Sequence, residues 1–336
     1  MKPKLLTAAA IVFIIALVFV FKSTVSGTPH VYKKSEIMMD TVITLTVVSN
    51  SQKKADEAIG AAFNNLRRFE RNWSFFDAGS DVSAINKNAG VRPVKVSDDT
   101  FDLTKKAVEK AKWTGGAFNP AIGPAMVLWD FKNKKRPTDS QLKEVLQLLD
   151  YTQIVFNDND SSIMLKDKGM LLDLGGIAKG YAADKTAELL KKAGMKAGIA
   201  SIGGDISAWG TRPDGSPWRV GIRAPRGAPD DLAGVLSLKD LAVSTGGDYE
   251  RFFIEDGIRY HHILNPATGY PARDFQSVTV VNPEGVVTDA LDTGIFAMDR
   301  EKALRFIKTN NLMAYLVFAD GSTFTSENLR ELLENR

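Results

Sequence analysis

Leu172-Asp173-Leu174-Gly175-Gly176-Ile177-Ala178-Lys179-Gly180-Tyr181-Ala182-Ala183-Asp184 reads as the end of an apolar strand, a glycine turn and the first turns of a helix. Glycines at 175, 176 and 180 let backbone come close to a neighbour or a ligand. A helix start presents free N–H groups and the positive end of the helix dipole, which suits a phosphate. Lys179 would add a charge in that first turn. The same pattern also serves an ordinary strand–turn–helix connection with glycine for packing. It is neither a phosphate loop nor a dinucleotide fingerprint, because neither glycine spacing fits. The helix should follow Gly176 and end at Gly194, a C-terminal cap.

Outward from this turn the chain alternates helical and extended patterns. Before it, Val42–Val48 is β-rich, and Ser51 caps a helix to about Trp73 with Ala55, Ile59, Ala62, Phe63, Leu66 and Phe69 on one face. Residues 28–36 read as a linker into that first strand. Helices are expected over 98–113 and 140–149, and a hairpin over 154–156 and 163–165. After it, strands are expected at 198–202, 218–222, 234–238, 241–244, 252–254 and 277–281. Helices over 289–298 and 300–309 and a hairpin across Asp320-Gly321 close the chain. The class is α+β, with mixed sheets and flanking helices in one body over 28–336.

The composition narrows the function. The chain has 336 residues, 44% hydrophobic and 25% charged, which suits a globular protein. Its formal net charge is only +3 and no Lys/Arg block stands out, so nucleic acid is not expected as a partner. Cysteine is absent, which excludes disulfides, thiolate metal sites, a catalytic thiol and a lipidated N-terminal cysteine. Three histidines, His30, His261 and His262, all but exclude a three-histidine zinc site. At the N-terminus, Lys2 and Lys4 precede an apolar run from Leu5 to Phe21, followed by Lys22. Residues 1–27 are therefore read as a membrane anchor or export signal, with the remainder outside the cytoplasm.

Further motifs could carry chemistry. Gly203-Gly204-Asp205 and Gly246-Gly247-Asp248 each follow an apolar strand. With the first turn they suggest one cleft lined by backbone at strand ends. His261 and His262 precede the turn Asn265-Pro266-Ala267-Thr268-Gly269. Asp289 and Thr293 are four apart on a helix and share a face, so they could bind a hard cation such as Mg2+; Asp289 could equally be a helix cap. The loop Gly115–Pro124 carries Phe118 and Asn119, which could present a ring and an amide to a flat heteroaromatic ligand.

Taken in order, these motifs resemble the ApbE family of flavin transferases. The series runs Met39-Asp40-Thr41, Ala117-Phe118-Asn119-Pro120 with Gly123-Pro124, Leu172 to Asp184, Gly203-Gly204-Asp205, Ser244 to Tyr249, His262 to Gly269, and Asp289 to Thr293. The resemblance implies transfer of FMN from FAD to a Thr or Ser hydroxyl of an acceptor flavoprotein, with Mg2+ and release of AMP. It implies a metal held by Asp289, Thr293 and the backbone oxygen of Gly176, and FAD contacts at Met39, Phe76, Ala117, Phe118, Asn119, Asp173, Lys179 and His261. His262 matches a histidine associated with activity, and either it or Asp289 would take the proton. Departures are Asp40 in place of a usual glycine and Phe76 where tyrosine is common. Implied acceptors are subunits of sodium-translocating NADH:quinone reductase or Rnf-type membrane complexes, or extracytoplasmic flavoproteins. Hydrolysis of FAD to FMN and AMP, or flavin binding without turnover, stay open beside transfer.

Overall fold

The computed structural model describes residues 28–228 and 230–334. The expected anchor or signal over 1–27 lies outside the described residues; among those described, no helix is long and apolar enough to cross a membrane. In chain order the elements are β1 (His30–Met38), β2 (Thr41–Ser49), α1 (Gln52–Trp73), α2 (Asp81–Lys87), β3 (Val94–Lys95), α3 (Asp98–Trp113), α4 (Gly123–Met126) and α5 (Asp139–Val145). They continue with β4 (Ile154–Asn157), β5 (Ser162–Leu165), α6 (Ala178–Lys192), β6 (Gly198–Ile202), β7 (Asp205–Trp209), β8 (Trp218–Arg223) and β9 (Leu232–Leu238). The last are β10 (Leu241–Gly247), β11 (Phe252–Glu255), β12 (Ile258–His261), β13 (Phe275–Asn282), α7 (Gly285–Phe296), α8 (Arg300–Thr309), β14 (Met313–Phe318) and β15 (Thr323–Thr325).

Eight strands form an antiparallel sheet in the order β1-β2-β6-β7-β10-β13-β14-β15. Its central strands are covered on both faces. Along β13, Val278 and Val280 face the main core under the helices, while Val281 faces a second core. Along β14, Ala314, Leu316 and Phe318 take the first side and Tyr315 and Val317 the other. This is the period of two that a pleated strand imposes. The second core is closed by the β8–β9 hairpin through Trp218, Ile222, Leu236 and Leu238. Helix α1 lays its expected stripe on the first face, and Ser51 accepts from the Lys54 N–H at 3.4 Å as its cap.

The segment read as a linker is in fact strand β1, paired with β2 from His30↔Ser49 to Met38↔Thr41. Its exposed Lys33, Lys34 and Ser35 hide the strand signal, because an edge strand covered on one face need not read as apolar. Two residues, Met39 and Asp40, make the β1–β2 turn with φ of 54° and 56°. A two-residue turn with positive φ at both positions is of type I′, in which aspartate and glycine are favoured. Helix α7 also begins earlier than expected, at Gly285 rather than 289, so Asp289 lies in its second turn and does not cap it.

Candidate active site

Helices α6 and α7 cross at their first turns, and each completes the other. Neither has a side-chain cap of its own. Asp289 of α7 accepts the Gly180 N–H of α6 at 2.8 Å. Asp184 of α6 accepts the Gly285 and Val286 N–H groups of α7 at 2.8 and 2.9 Å. The unsatisfied donors of two helix starts are thus met by carboxylates from the partner helix. Contact this close requires glycine on both sides: a Cβ at Gly180 would sit 2.1 Å from the Gly285 carbonyl oxygen.

The crossing gathers carboxylates. Asp205, Asp289 and Asp292 are all buried, with one oxygen of each within 4.8 Å of the others. Asp205 arrives at the start of β7, directly after Gly203 and Gly204, and Lys179 ion-pairs with it. The Thr293 hydroxyl donates to Asp292 at 3.1 Å. Gly176 lies against Thr293, whose hydroxyl would be 3.1 Å from a Cβ there, so the three positions implied as metal ligands converge. Gly246 backs onto Asp292 from β10.

Electrostatics match this crowding. Burial, then the Asp205 charge, push Asp289 up to about 7 against the pull of Lys179 and the N–H groups it accepts. Burial, with Asp289 and Asp205, holds Asp292 well above the usual carboxylate range. Burial alone would lower Lys179, yet Asp205, Asp289 and Asp292 outweigh it and hold the ammonium firmly protonated. Three carboxylates with one ammonium leave an excess of hard oxygen donors and negative charge in a buried place. That donor set fits a divalent cation such as Mg2+.

The remaining sequence candidates fall around this cluster. Asp173 accepts the Gly175 N–H at 2.8 Å and its own N–H donates to Pro120, which ties the central turn to the Gly115–Pro124 loop. Burial raises its carboxyl. Phe118 is buried under Gly176 and Gly294. Asn119 spends its amide on the Leu149 carbonyl at 2.6 Å and its oxygen on the Ala121 N–H at 2.8 Å, so it organises the loop. Ala117 packs against the main core. Met39 anchors through its N–H to Glu70 at 2.6 Å, near the end of α1, and the Met39 turn backs onto Gly203 through Thr41. Phe76, just past α1, is 88% exposed and packs edge-on to Phe75. His261 is buried with both ring nitrogens committed, to the Ala272 carbonyl at 2.7 Å and the Ile263 N–H at 3.3 Å, leaving it no polar atom for a ligand. His262 differs: its Nδ1 is buried without a partner, and burial, then Arg251, His261 and Lys179, push it down to about 3.

Two members of the cluster, Asp205 and Asp292, were not among the expected ligands. Asp205 had a signal, since it ends one of three similar glycine turns, but no spacing ties it to 289.

The sequence model of the ApbE family matches residues 39–316. A protein of Treponema pallidum named FAD:protein FMN transferase is 35% identical over 82% of this chain and 81% of its own length. One of the same name from Klebsiella pneumoniae is 33% identical over 81% and 84%. Among solved structures, the crystal structure of the ApbE protein from Thermotoga maritima superposes with a TM-score of 0.84 at 32% identity, covering 91% of this chain and all of that one. With the motifs in order, the site at the crossing of two helix starts and these likenesses along most of its length, the chain belongs to the ApbE family.

Proposed function

We propose that this protein is an FAD:protein FMN transferase: it moves FMN from FAD to a Thr or Ser hydroxyl of an acceptor flavoprotein, forming a phosphoester and releasing AMP. The observation that carries this reading is the buried Asp205–Asp289–Asp292 cluster with Lys179, at the paired helix starts of a chain similar to enzymes of that name. Asp289, Asp292, Thr293 and the backbone oxygen of Gly176 would hold Mg2+. When bound, Mg2+ neutralises charge on the phosphates and makes AMP a better leaving group.

The chain's own residues do the rest. Exposed Phe76 would offer apolar surface to a flavin ring, with half-buried Met39 and the buried Phe118 and Asn119 loop as its further contacts. Asp173 offers its carboxylate to flavin or ribose donors. Lys179 stays protonated beside the phosphates. His262 takes the proton of the acceptor hydroxyl: its buried Nδ1 has no partner, whereas Asp289 already accepts the Gly180 N–H and belongs to the carboxylate cluster. The two phosphates of bound FAD would raise the imidazole from its low value in the free site.

The Lys2/Lys4 flank and the apolar run to Phe21 support an anchored body outside the cytoplasm, with acceptors among membrane redox subunits of the quinone-reductase or Rnf type. Incubation with FAD, Mg2+ and a candidate acceptor should give a fluorescent acceptor band and a mass increase of one FMN. Free FMN with an unlabelled acceptor would make the protein an FAD pyrophosphatase instead. Protease added to intact spheroplasts should digest the body, and full protection would overturn the location.

A further inference from the structure

We propose that Arg251 receives the phosphate of the departing AMP and sets the site's preference for a nucleotide leaving group. This rests on the reading of the site as an FMN transferase. Arg251 closes the turn over 248–251 between β10 and β11, and its carbonyl accepts the His262 N–H at 3.1 Å. It is therefore tied by backbone to His262, whose buried Nδ1 has no partner.

Three of the neighbouring cations are engaged, and Arg259 is engaged in part, its Nη1 being buried without a hydrogen-bond partner. Arg226 holds Asp248 with two bonds of 2.7 and 2.5 Å. Arg259 lies over the Phe252 ring at 3.8 Å and 3.7 Å from Asp248. Arg223 covers Tyr249 and reaches Glu250 at 3.7 Å. Lys179 is on Asp205. Arg251 is exposed, and among the described residues its guanidinium has no ion pair and no hydrogen bond. Its charge nonetheless reaches both Asp173 and His262.

A free, exposed guanidinium fork joined to the His262 backbone matches a phosphate, because it can bind two oxygens at once. Two phosphates need partners in FAD. The buried cluster and Lys179 suit the phosphate that stays with FMN. The exposed Arg251 suits the one that gains charge as its bond breaks and then leaves to solvent.

Calorimetric titration of the full-length protein with AMP and, separately, riboflavin, in Mg2+, tests this without turnover. Arg251→Ala should weaken AMP about tenfold or more and leave riboflavin within about twofold. Arg251→Lys should fall between, since it keeps charge without the fork. Unchanged AMP affinity in Arg251→Ala overturns the proposal, as does an equal loss of riboflavin. A change confined to the KM for the acceptor also overturns it, by placing the guanidinium on an acidic side chain of that protein. If the unaltered protein binds neither AMP nor FAD, the transferase reading falls as well.

Discussion

The imidazole of His262 is held far from its ordinary range by burial and two nearby cations, Arg251 and Lys179. It should stay neutral throughout pH 5–8 in the free protein. With only three histidines in the chain, NMR titration can follow each, and a His262 transition near 6.5 would contradict the geometry. Asp289 has two tasks that a pair of variants can separate. Asp289→Asn keeps an oxygen for the Gly180 N–H and should fold with a nearly unchanged melting temperature, yet lose Mg2+-dependent transfer. Asp289→Ala should lose transfer and about 0.5–2 kcal/mol of stability besides, as a lost cap does. Equal melting temperatures would remove Asp289 from the cap. At this scale the sequence was readable where a residue's own neighbours define it: Asp289 with Thr293 four positions on, or the glycine turn before Lys179. It was not readable for Asp205, which meets Asp289 only through the fold, nor for His261, whose burial turns an apparent ligand into a bracket for the Ala272 loop.

Helices α6 and α7 meet through glycine at 180 and 285, and the contact tolerates no side chain on either. Gly180→Ala should therefore destabilise by about 1–3 kcal/mol or more, although alanine is the better helix former in isolation. Gly194→Ala makes a useful contrast. It meets nothing within 4 Å and costs only the strain of φ +86°, so its effect should be smaller by thermal melting. A Gly180→Ala protein as stable as its parent would refute the close crossing. Elements with a buried stripe and a local cap, α1 and α3, match expectation closely. The start of α7 does not, because its cap comes from Asp184 on another helix and leaves no local signature. Strand β1 was missed for the opposite reason, since an exposed edge needs few apolar residues.

Across the whole molecule, the cluster couples stability to pH. Asp289 and Asp292 are raised in the folded protein, whereas an unfolded aspartate titrates near about 3.9. Between those values the folded chain binds more protons, so metal-free stability should fall as pH rises from about 4 through about 7. Mg2+ should restore it, and more strongly at pH 8 than at pH 5. Melting temperatures after chelation, with and without Mg2+, check both halves; a flat profile in each would show that the carboxylates are not buried together.

Gly180 and Asp289 are 109 positions apart, yet each start of the crossed helices waits for the other. During synthesis, α6 is complete long before the carboxylate that caps it exists. The candidate site therefore forms only once α7 has been made, and an N-terminal fragment ending before α7 should not transfer FMN. A chain cut short before α7 carries no carboxylate cluster with which to split the cofactor wastefully, so activity itself certifies synthesis at least through α7.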